Sequence, residues 1–223
     1  MDRSTAVSMV LVVSMVVVLS SCGQLQLDSG QLSPAGSEHD LLANGLAGWQ
    51  QIGGKKESWK FENGILYTEG GGGGWLSTTR EYDNFKLELE FRIPPGGNSG
   101  VFLRAPHQGN PAYTGMEIQI LDDYTDKSRK LRPEQYTGSI YNVQAPSKQV
   151  TKKAGEWQKM VIICDGPKVQ ITLNGTKIID TNLNNYPDKV AKHPGLKRTK
   201  GYIGLQNHGS RLDFRNIKIT ELK

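Results

Sequence analysis

The strongest constraint on the fold is a two-residue alternation of apolar and polar side chains that recurs along the chain. In NFKLELEFRI, apolar side chains occupy every second position from Phe85 to Ile93, and a charged side chain lies at each position between them. This is the period of a half-buried β-strand. Similar short segments follow one another between turn residues, with almost no 3.6-residue apolar stripe of the kind that marks an amphipathic helix. The chain is therefore predicted to be all-β, an antiparallel sandwich or barrel.

Turn signals divide the alternating segments. Asn63-Gly64, Asp165-Gly166 and Asn174-Gly175 predict tight hairpin turns. The four glycines of Gly71–Gly74 predict a loop or a close approach of two backbones, because glycine disfavours a regular strand. Further strands are predicted in SGVFLRAP, GMEIQILDD, TGSIYNVQAP and GYIGLQNH, and LNNYPDKVAKHPG is the longest irregular segment.

The N-terminal segment predicts export and anchoring. Residues 1–22 combine an early Arg with an apolar run from Val10 to Leu19, which is short for a membrane span, and they end in LSSC. This ending resembles the lipobox of bacterial lipoproteins, so Cys22 is the predicted lipidation site. Residues 23–39 are predicted to be a flexible tether, and residues 40–223 a single domain. We expect a lipoprotein at the periplasmic or cell-surface face of a membrane, held by its lipid anchor alone.

The charge distribution and the cysteine content indicate which partners and which cross-links to expect. The net charge is +5, and part of the basic excess lies in KVAKHPGLKRTK, residues 189–200. That segment has no interleaved aromatic residues, so we interpret it as a solvated loop and expect no nucleic-acid partner. Cys164 lies in an apolar strand and is predicted to be a small buried hydrophobe, so no disulfide framework is expected. The oligomeric state is left open.

The candidate site begins with GMEIQILDD. Glu117 and Gln119 alternate with Met116, Ile118 and Ile120, so their side chains share one face of the predicted strand, about 7 Å apart. Asp122 is at an odd offset and would reach that face only if a β-bulge lies near Leu121. The pattern resembles the Glu-x-Asp-x-x-Glu strand of laminarinase-type glucanases, from which it departs at Gln119 and Asp122. A glycosidase with two catalytic carboxylates is therefore not favoured.

Other polar side chains cluster in neighbouring predicted strands. GGNSGVFLR contributes Asn98 and Arg104, and GLQNHG contributes Gln206 and His208. A carboxylate, an imidazole, a guanidinium, several amides and aromatic faces form the mixture that sugars require. Each of these residues alone is equally compatible with an ordinary surface or turn position. The aromatic candidates are Trp75, Tyr141 and Trp59.

Six segments together resemble a known family from about Leu41 to Lys223. They include GWLSTTREYDNFKLELEFRIPPGGNSGVFLRAP, YTGMEIQILDD, TGSIYN and KGYIGLQNHGSRLDFRNIKI. The chain resembles the bacterial 3-keto-disaccharide hydrolase domain family. The resemblance implies a concanavalin A-like jelly-roll sandwich and cleavage of glycosides that are oxidised to a ketone at carbon 3. A frequent family form reads LQDHG, where this chain has Asn207 as the third residue.

For such a ketone we expect base-assisted elimination through an enolate, followed by hydration, and we assign roles in that chemistry to these residues. Glu117 would be the acid or base, His208 its partner in proton transfer, and Asp122 a further catalytic candidate if the bulge exists. Asn98, Arg104, Gln119 and Gln206 would hold hydroxyl groups or an enolate oxygen, and Asn207, Tyr141 and Trp75 would contact the sugar. We expect no cofactor, and a divalent cation held by Glu117, Asp122 and His208 is left open because no metal motif is present. The alternatives are a lectin-like binding module and a glycosidase acting on unoxidised glucans.

Overall fold

The computed structural model describes Met1 and residues 35–124 and 130–223. The predicted signal peptide, Cys22 and most of the predicted tether lie outside the described residues, and their assignment stays a prediction. Residues Ala35–Asp40 form a strand that pairs with the last strand of the chain. The tether prediction is therefore wrong for residues 35–39.

The described residues contain thirteen strands. In chain order they are β1 (Ala35–Asp40), β2 (Trp49–Ile52), β3 (Trp59–Glu62), β4 (Ile65–Thr68), β5 (Trp75–Thr78), β6 (Phe85–Arg92), β7 (Asn98–Ala105), β8 (Met116–Leu121), β9 (Gln158–Asp165), β10 (Lys168–Leu173), β11 (Thr176–Asn182), β12 (Tyr202–Gln206) and β13 (Leu212–Leu222). A short helix, α1 (Pro111–Thr114), precedes β8. Short 3-10 turns lie at Pro133–Gln135, Leu183–Asn185 and Pro194–Lys197. In the described part of the chain, no helix has the length and apolar character of a membrane span.

The strands form two antiparallel sheets. The larger sheet has the order β11-β10-β9-β6-β13-β4-β3, with β1 added on β13, and the smaller sheet has the order β2-β5-β12-β7-β8. One hydrophobic core joins them, because Phe85 and Leu87 of the larger sheet belong to the same buried cluster as Val101, Ile118 and Leu205 of the smaller sheet. The molecule is therefore an antiparallel β-sandwich, one of the two architectures that the alternation predicts, and it is of the jelly-roll, concanavalin A-like class that the resemblance implies.

The alternation in the sequence determines which side chains the core receives. In β6 every second residue, beginning with Phe85, is buried, and the charged residues between them are partly exposed. Asn63-Gly64 and Asn174-Gly175 form tight turns in which both residues have positive φ, the conformation that favours Asn-Gly in two-residue hairpins. These predictions are confirmed.

One predicted strand is absent from the described sheets. Residues 137–146 form only isolated bridges, in which Ile140 pairs with Ile118 and with Gln144. Asn142 has a φ of 58°, and the chain turns back on itself through hydrogen bonds from Val143 N and Gln144 N to Ile140 O. A bend at this position prevents a continuous ladder, so the segment runs as a loop beside β8.

Candidate functional site

The outward face of the smaller sheet carries the candidate site. In the register of β7 and β8, Glu117 lies opposite Phe102, and Gln119 lies opposite Gly100. Opposed residues in an antiparallel pair share a face. The neighbouring pairs, such as Val101 with Ile118, point into the core, where both side chains are fully buried. Glu117 and Gln119 therefore lie on the side of the sheet away from the core. They are nevertheless only 4% and 5% exposed, so this face is covered rather than open to solvent.

Three adjoining cavities run across this face, and we call them together the groove. The central cavity, of about 170 Å³, is lined by Glu117 and Gln119 among other residues. A cavity of about 400 Å³ adjoins it on the side of Trp75 and Phe102, and one of about 380 Å³ on the side of Leu121. His208 lines all three cavities. The groove thus has a polar centre, with an aromatic section on one side of it.

Two strand glycines make room for the side chains of the groove. A Cβ atom added to Gly100 would lie 2.2 Å from Glu117 Oε1, and a Cβ atom added to Gly204 would lie 2.1 Å from the ring of Trp75. Real contacts of a Cβ atom are never that short. The carboxyl of Glu117 and the indole of Trp75 therefore rest directly on backbone that has no side chain.

Burial changes the acidity of Glu117. Desolvation disfavours the charged form of the carboxyl and raises the pKa of Glu117 from 4.5 to about 8, although the side chain of Gln206, through a hydrogen bond, lowers it in part. An acid with a pKa near neutrality can both give and accept a proton under physiological conditions. A buried titratable group in a cavity is also a typical mark of a functional site.

Several polar atoms of the groove lack a partner within the protein. Among the described residues, Asn98 Oδ1, Gln206 Oε1 and Asn207 Nδ2 are buried and make no hydrogen bond. All three residues line the groove. A buried polar group without a partner costs roughly 1–3 kcal/mol, so a concentration of such atoms at one place indicates a polar ligand.

Two other carboxamides are fixed by the backbone. Gln119 Oε1 accepts from Ile120 N at 3.0 Å, and Asn110 Oδ1 accepts from Ala112 N at 3.1 Å. In each case the carbonyl end is occupied, so the NH₂ end is the one that can donate to a ligand. Tyr113 and Tyr141 also line the central cavity and add phenol groups to it. The arrangement can bind a ring that carries several hydroxyl or carbonyl oxygens.

The structure brings most of the predicted site residues together. The residues that line the groove are Trp75, Asn98, Glu117, Gln119, Tyr141, Gln206, Asn207 and His208. His208 is exposed, whereas Asn207 is buried and its Oδ1 accepts from Gly209 N at 3.0 Å. Their roles in binding or catalysis stay predictions.

The prediction for Arg104 is wrong. Its φ of 50° coincides with a register shift between β7 and β12, so its side chain leaves the alternation that places Phe102 in the groove. The guanidinium is 1% exposed and donates to three backbone oxygens, those of Asp83, Gly166 and Arg198. Arg104 therefore ties loops together away from the groove.

The prediction for Asp122 is also wrong. The pairing of β8 with β7 runs in unbroken register to Leu121, so the expected bulge does not form, and Leu121 itself faces the groove. Asp122 accepts from Gly96 N at 2.8 Å and from Tyr124 N at 3.1 Å, and it lines none of the three cavities of the groove. Its carboxylate stabilises the turn after β8.

Sequence reasoning missed the residues that α1 brings into the groove. Asn110 precedes Pro111, its side chain caps the helix, and Tyr113 lies on the helix and lines the central cavity. Asn followed by Pro is a helix-start signal, because Asn is a favoured N-cap and Pro a favoured first helical residue. The signal was present, but a helix of four residues is too short to show periodicity.

A metal site finds no support in the arrangement of side chains. Residues 35–124 and 130–223 contain no group of three or more His, Cys, Asp or Glu side chains that could hold a metal ion. The set left open by the sequence, Glu117 with Asp122 and His208, is not assembled because Asp122 lies outside the groove.

Comparisons with known proteins show the family of the chain. Residues 39–220 match the family described as the 3-keto-alpha-glucoside-1,2-lyase-like domain. A 3-keto-disaccharide hydrolase of Bacteroides thetaiotaomicron is 26% identical over 240 residues, which cover 88% of this chain and 83% of that protein.

Solved structures give the same picture at the level of the fold. A candidate glycosyl hydrolase from Parabacteroides distasonis is 31% identical and superposes with a TM-score of 0.74, covering 83% of this chain and 100% of that chain. The carbohydrate-binding module CBM66 of Bacillus subtilis is 14% identical with a TM-score of 0.53, covering 77% of this chain and 94% of that chain. The second likeness concerns the fold alone.

Proposed function

Because the chain belongs to the 3-keto-alpha-glucoside-1,2-lyase-like domain family, we propose that it is a carbohydrate-active enzyme that cleaves glycosides oxidised to a ketone at carbon 3. The observation that carries the proposal is a single buried acid, Glu117, whose pKa is raised to about 8 in a groove of unpartnered amide groups. The names of the Bacteroides and Parabacteroides relatives support a carbohydrate substrate and a hydrolase at the coarse level.

A 3-keto group explains how one carboxylate can suffice. The ketone acidifies the hydrogen on carbon 2, and the carboxylate form of Glu117 removes this hydrogen as a proton. The electron pair of the C–H bond forms an enolate whose negative charge rests on the carbonyl oxygen. The enolate then collapses to a double bond between carbon 1 and carbon 2. The bond between carbon 1 and the glycosidic oxygen breaks, and the leaving group departs with the electron pair of this broken bond and takes up a proton. The oxygen of water then adds to carbon 1 of the resulting enone while His208 takes the proton that this water releases. The proton held by Glu117 returns to carbon 2, which completes the hydrolysis.

The remaining groups of the groove fit the other needs of this reaction. The NH₂ groups of Asn98, Gln119 and Asn110 can donate to the enolate oxygen, where charge develops. His208 lines the same cavity as Glu117 and can protonate the leaving oxygen. A nucleophile paired with an acid, the device of retaining glycosidases, is not required.

The raised pKa of Glu117 predicts a pH dependence for the reaction. Only the carboxylate can act as the base, so the fraction of Glu117 that is competent as the base falls about tenfold for each pH unit below about 8. The value of kcat/KM should fall in the same way as the pH is lowered from about 8. An ordinary exposed glutamate would give a rate that is independent of pH in the same range.

The test compares 3-keto-glucosides with their unoxidised parents, each with and without a chelator. The proposal expects turnover of the oxidised compounds alone, unaffected by the chelator. Glu117→Gln keeps the shape of the side chain and should lower turnover by about 10²–10⁴-fold, and His208→Ala should fall in the same range. The double variant should lose less than the product of the two effects if both groups act in one proton-transfer step.

Other outcomes would reject the proposal. Turnover of an unoxidised glycoside would make the protein an ordinary glycosidase. Binding of the sugar without turnover would make it a lectin-like module. A product that accumulates as the enone, rather than as the hydrated sugar, would reject hydrolysis and leave elimination as the whole reaction.

We also propose that Cys22 carries a lipid anchor, so that this reaction takes place on the outer side of a bacterial membrane. The support is the sequence LSSC and the polar segment that follows it.

A further inference from the structure

A second cavity lies at the other edge of the smaller sheet, apart from the groove. It has a volume of about 700 Å³ and shares no lining residue with the three cavities of the groove. Its walls come from β2 and β3, which are the edge strands of the two sheets, and from the loop between them. We call it the edge cavity. Its size is that of a typical small-molecule site, for which about 300–1,000 Å³ is usual.

The two tryptophans that line the edge cavity differ in the hydrogen bonding of their indole N–H groups. Trp49 Nε1 donates to Leu41 O at 2.8 Å, whereas Trp59 Nε1 is buried and, within the described residues, has no acceptor. Both side chains are at least nine-tenths buried, at 7% and 5% exposure. Indole N–H groups usually find a partner when they are buried. The unpartnered donor therefore indicates that an acceptor comes from outside the chain.

The rim of the edge cavity supplies further polar groups. Lys56 and Glu57 are exposed, Lys60 and Gln51 are half-buried, and all four line the cavity. Ammonium groups, a carboxylate and an amide around apolar indole surface form a mixed lining. That lining suits a ring with apolar C–H faces and hydroxyl groups at its edge, and it does not suit a purely apolar ligand.

A thin wall separates the edge cavity from the groove. Gly53 and Gly54 line the edge cavity, and Gly73 and Gly74 line the groove. The two glycine pairs pack backbone against backbone, since a Cβ atom on Gly54 would lie 2.0 Å from Gly73 O, and one on Gly74 would lie 2.6 Å from the carbonyl carbon of Gly53. These two backbone segments, in contact with each other, lie between the two cavities.

We propose that the edge cavity is a second saccharide-binding site, non-catalytic, in which a sugar hydroxyl accepts from the indole N–H of Trp59. This second site goes beyond the proposed reaction and does not depend on it, because no residue that lines the edge cavity also lines the groove. The site would hold an unoxidised stretch of glycan close to the groove. Such an accessory site raises the local concentration of substrate at the groove.

The four tryptophans of the chain allow a direct test by nuclear magnetic resonance. The indole N–H signals of the full, ¹⁵N-labelled chain are recorded during titration with cellotetraose, maltotetraose and laminaritetraose, each up to about 10 mM. Single Trp→Phe variants assign the signals. The Trp59 signal should shift with at least one of these probes, while the Trp49 signal, already bonded to Leu41 O, should move less.

Matched variants separate this site from the groove. Trp59→Phe keeps the ring and removes the donor, so binding of the same probe should weaken about three- to tenfold. Lys56→Ala should also weaken it, whereas Lys55→Ala, which changes a neighbouring lysine outside the cavity lining, should not. Glu117→Gln should leave the Trp59 shift intact, and Trp59→Phe should leave turnover of a small 3-keto-glucoside intact.

Two results would overturn the second site. A probe that shifts the signal of Trp75 but not that of Trp59 would place all saccharide binding in the groove. An unchanged Trp59 signal with all three tetrasaccharides would show that the edge cavity does not bind glucans. Because Lys56 is exposed, the Lys56→Ala comparison still decides the matter if Trp59→Phe fails to fold.

Discussion

Glu117→Gln tests the raised pKa of the buried carboxyl without any substrate. In the folded protein the carboxyl is 4% exposed and its pKa is about 8, whereas in the unfolded chain it returns to about 4.5. Between these values the folded state holds a proton that the unfolded state has released. The stability that this proton confers is fully present below pH 4.5 and is lost as the pH rises through about 8. Glutamine has nearly the same shape and does not titrate.

The size of the effect follows from the gap between the two pKa values. It corresponds to roughly 5 kcal/mol in full, of which about 3.5 kcal/mol develops between pH 5 and pH 8. Urea unfolding of the wild type and of Glu117→Gln at pH 5, 6, 7 and 8 gives the difference in free energy of unfolding at each pH. The free energy of unfolding of the variant, relative to that of the wild type, should rise throughout this range. Its urea midpoint should rise relative to that of the wild type by more than about 1 M.

Glu88→Gln is the matched control for this experiment. The ammonium groups of Lys159 and Lys86 lower the pKa of Glu88, so its contribution to stability is present at neutral pH and is lost as the pH falls. The free energy of unfolding of Glu88→Gln, relative to that of the wild type, should therefore not rise as the pH rises. If the wild type and Glu117→Gln show parallel stability curves from pH 5 to pH 8, the raised pKa is wrong, and with it the proposed base.

Three further predictions concern other residues. Arg104→Met should lower the free energy of unfolding by at least about 3 kcal/mol in urea, because it leaves three backbone oxygens without their donor, and an unchanged midpoint would contradict this. Gly100→Ala should reduce turnover of a 3-keto-glucoside about as much as Glu117→Gln does, roughly 10²-fold or more, since its Cβ would displace Glu117 Oε1; full activity would refute the contact. Cys22→Ser should release the protein from the membrane fraction, and unchanged partitioning with membranes would exclude a lipid anchor at Cys22.

The fold could be predicted from the sequence because its signals are local and repeated. The alternation from Phe85 to Phe91 and the Asn-Gly turns each act within a few residues, and the core receives the side chains that the period assigns to it. Residues 137–146 were missed for the opposite reason. Their alternation is interrupted by the positive φ of Asn142, and whether such a segment joins a sheet depends on neighbours that are distant in sequence.

The site residues could be predicted only where the two-residue alternation of side chains along a strand decides which face they occupy. Glu117, Gln119 and Gln206 lie in the groove because parity and register place them there. The prediction for Arg104 was wrong because its own positive φ interrupts the alternation of side chains along β7. The prediction for Asp122 was wrong because no bulge interrupts the alternation along β8. Irregularities of this kind are set by packing between strands, so one strand read alone does not reveal them.

The carboxyl of Glu117 fills the space that a side chain at position 100 would need. The residue types at these two positions therefore depend on each other in any chain of the same fold. A relative with Ala or Ser at the position of Gly100 would have no room for a carboxyl placed as in this protein. Such a chain could keep the amides and the aromatic section of the groove and still bind a sugar, but it would have lost the position of its base. Enzymes and simple sugar binders built on this sandwich would then differ at a residue that has no side chain to offer the substrate.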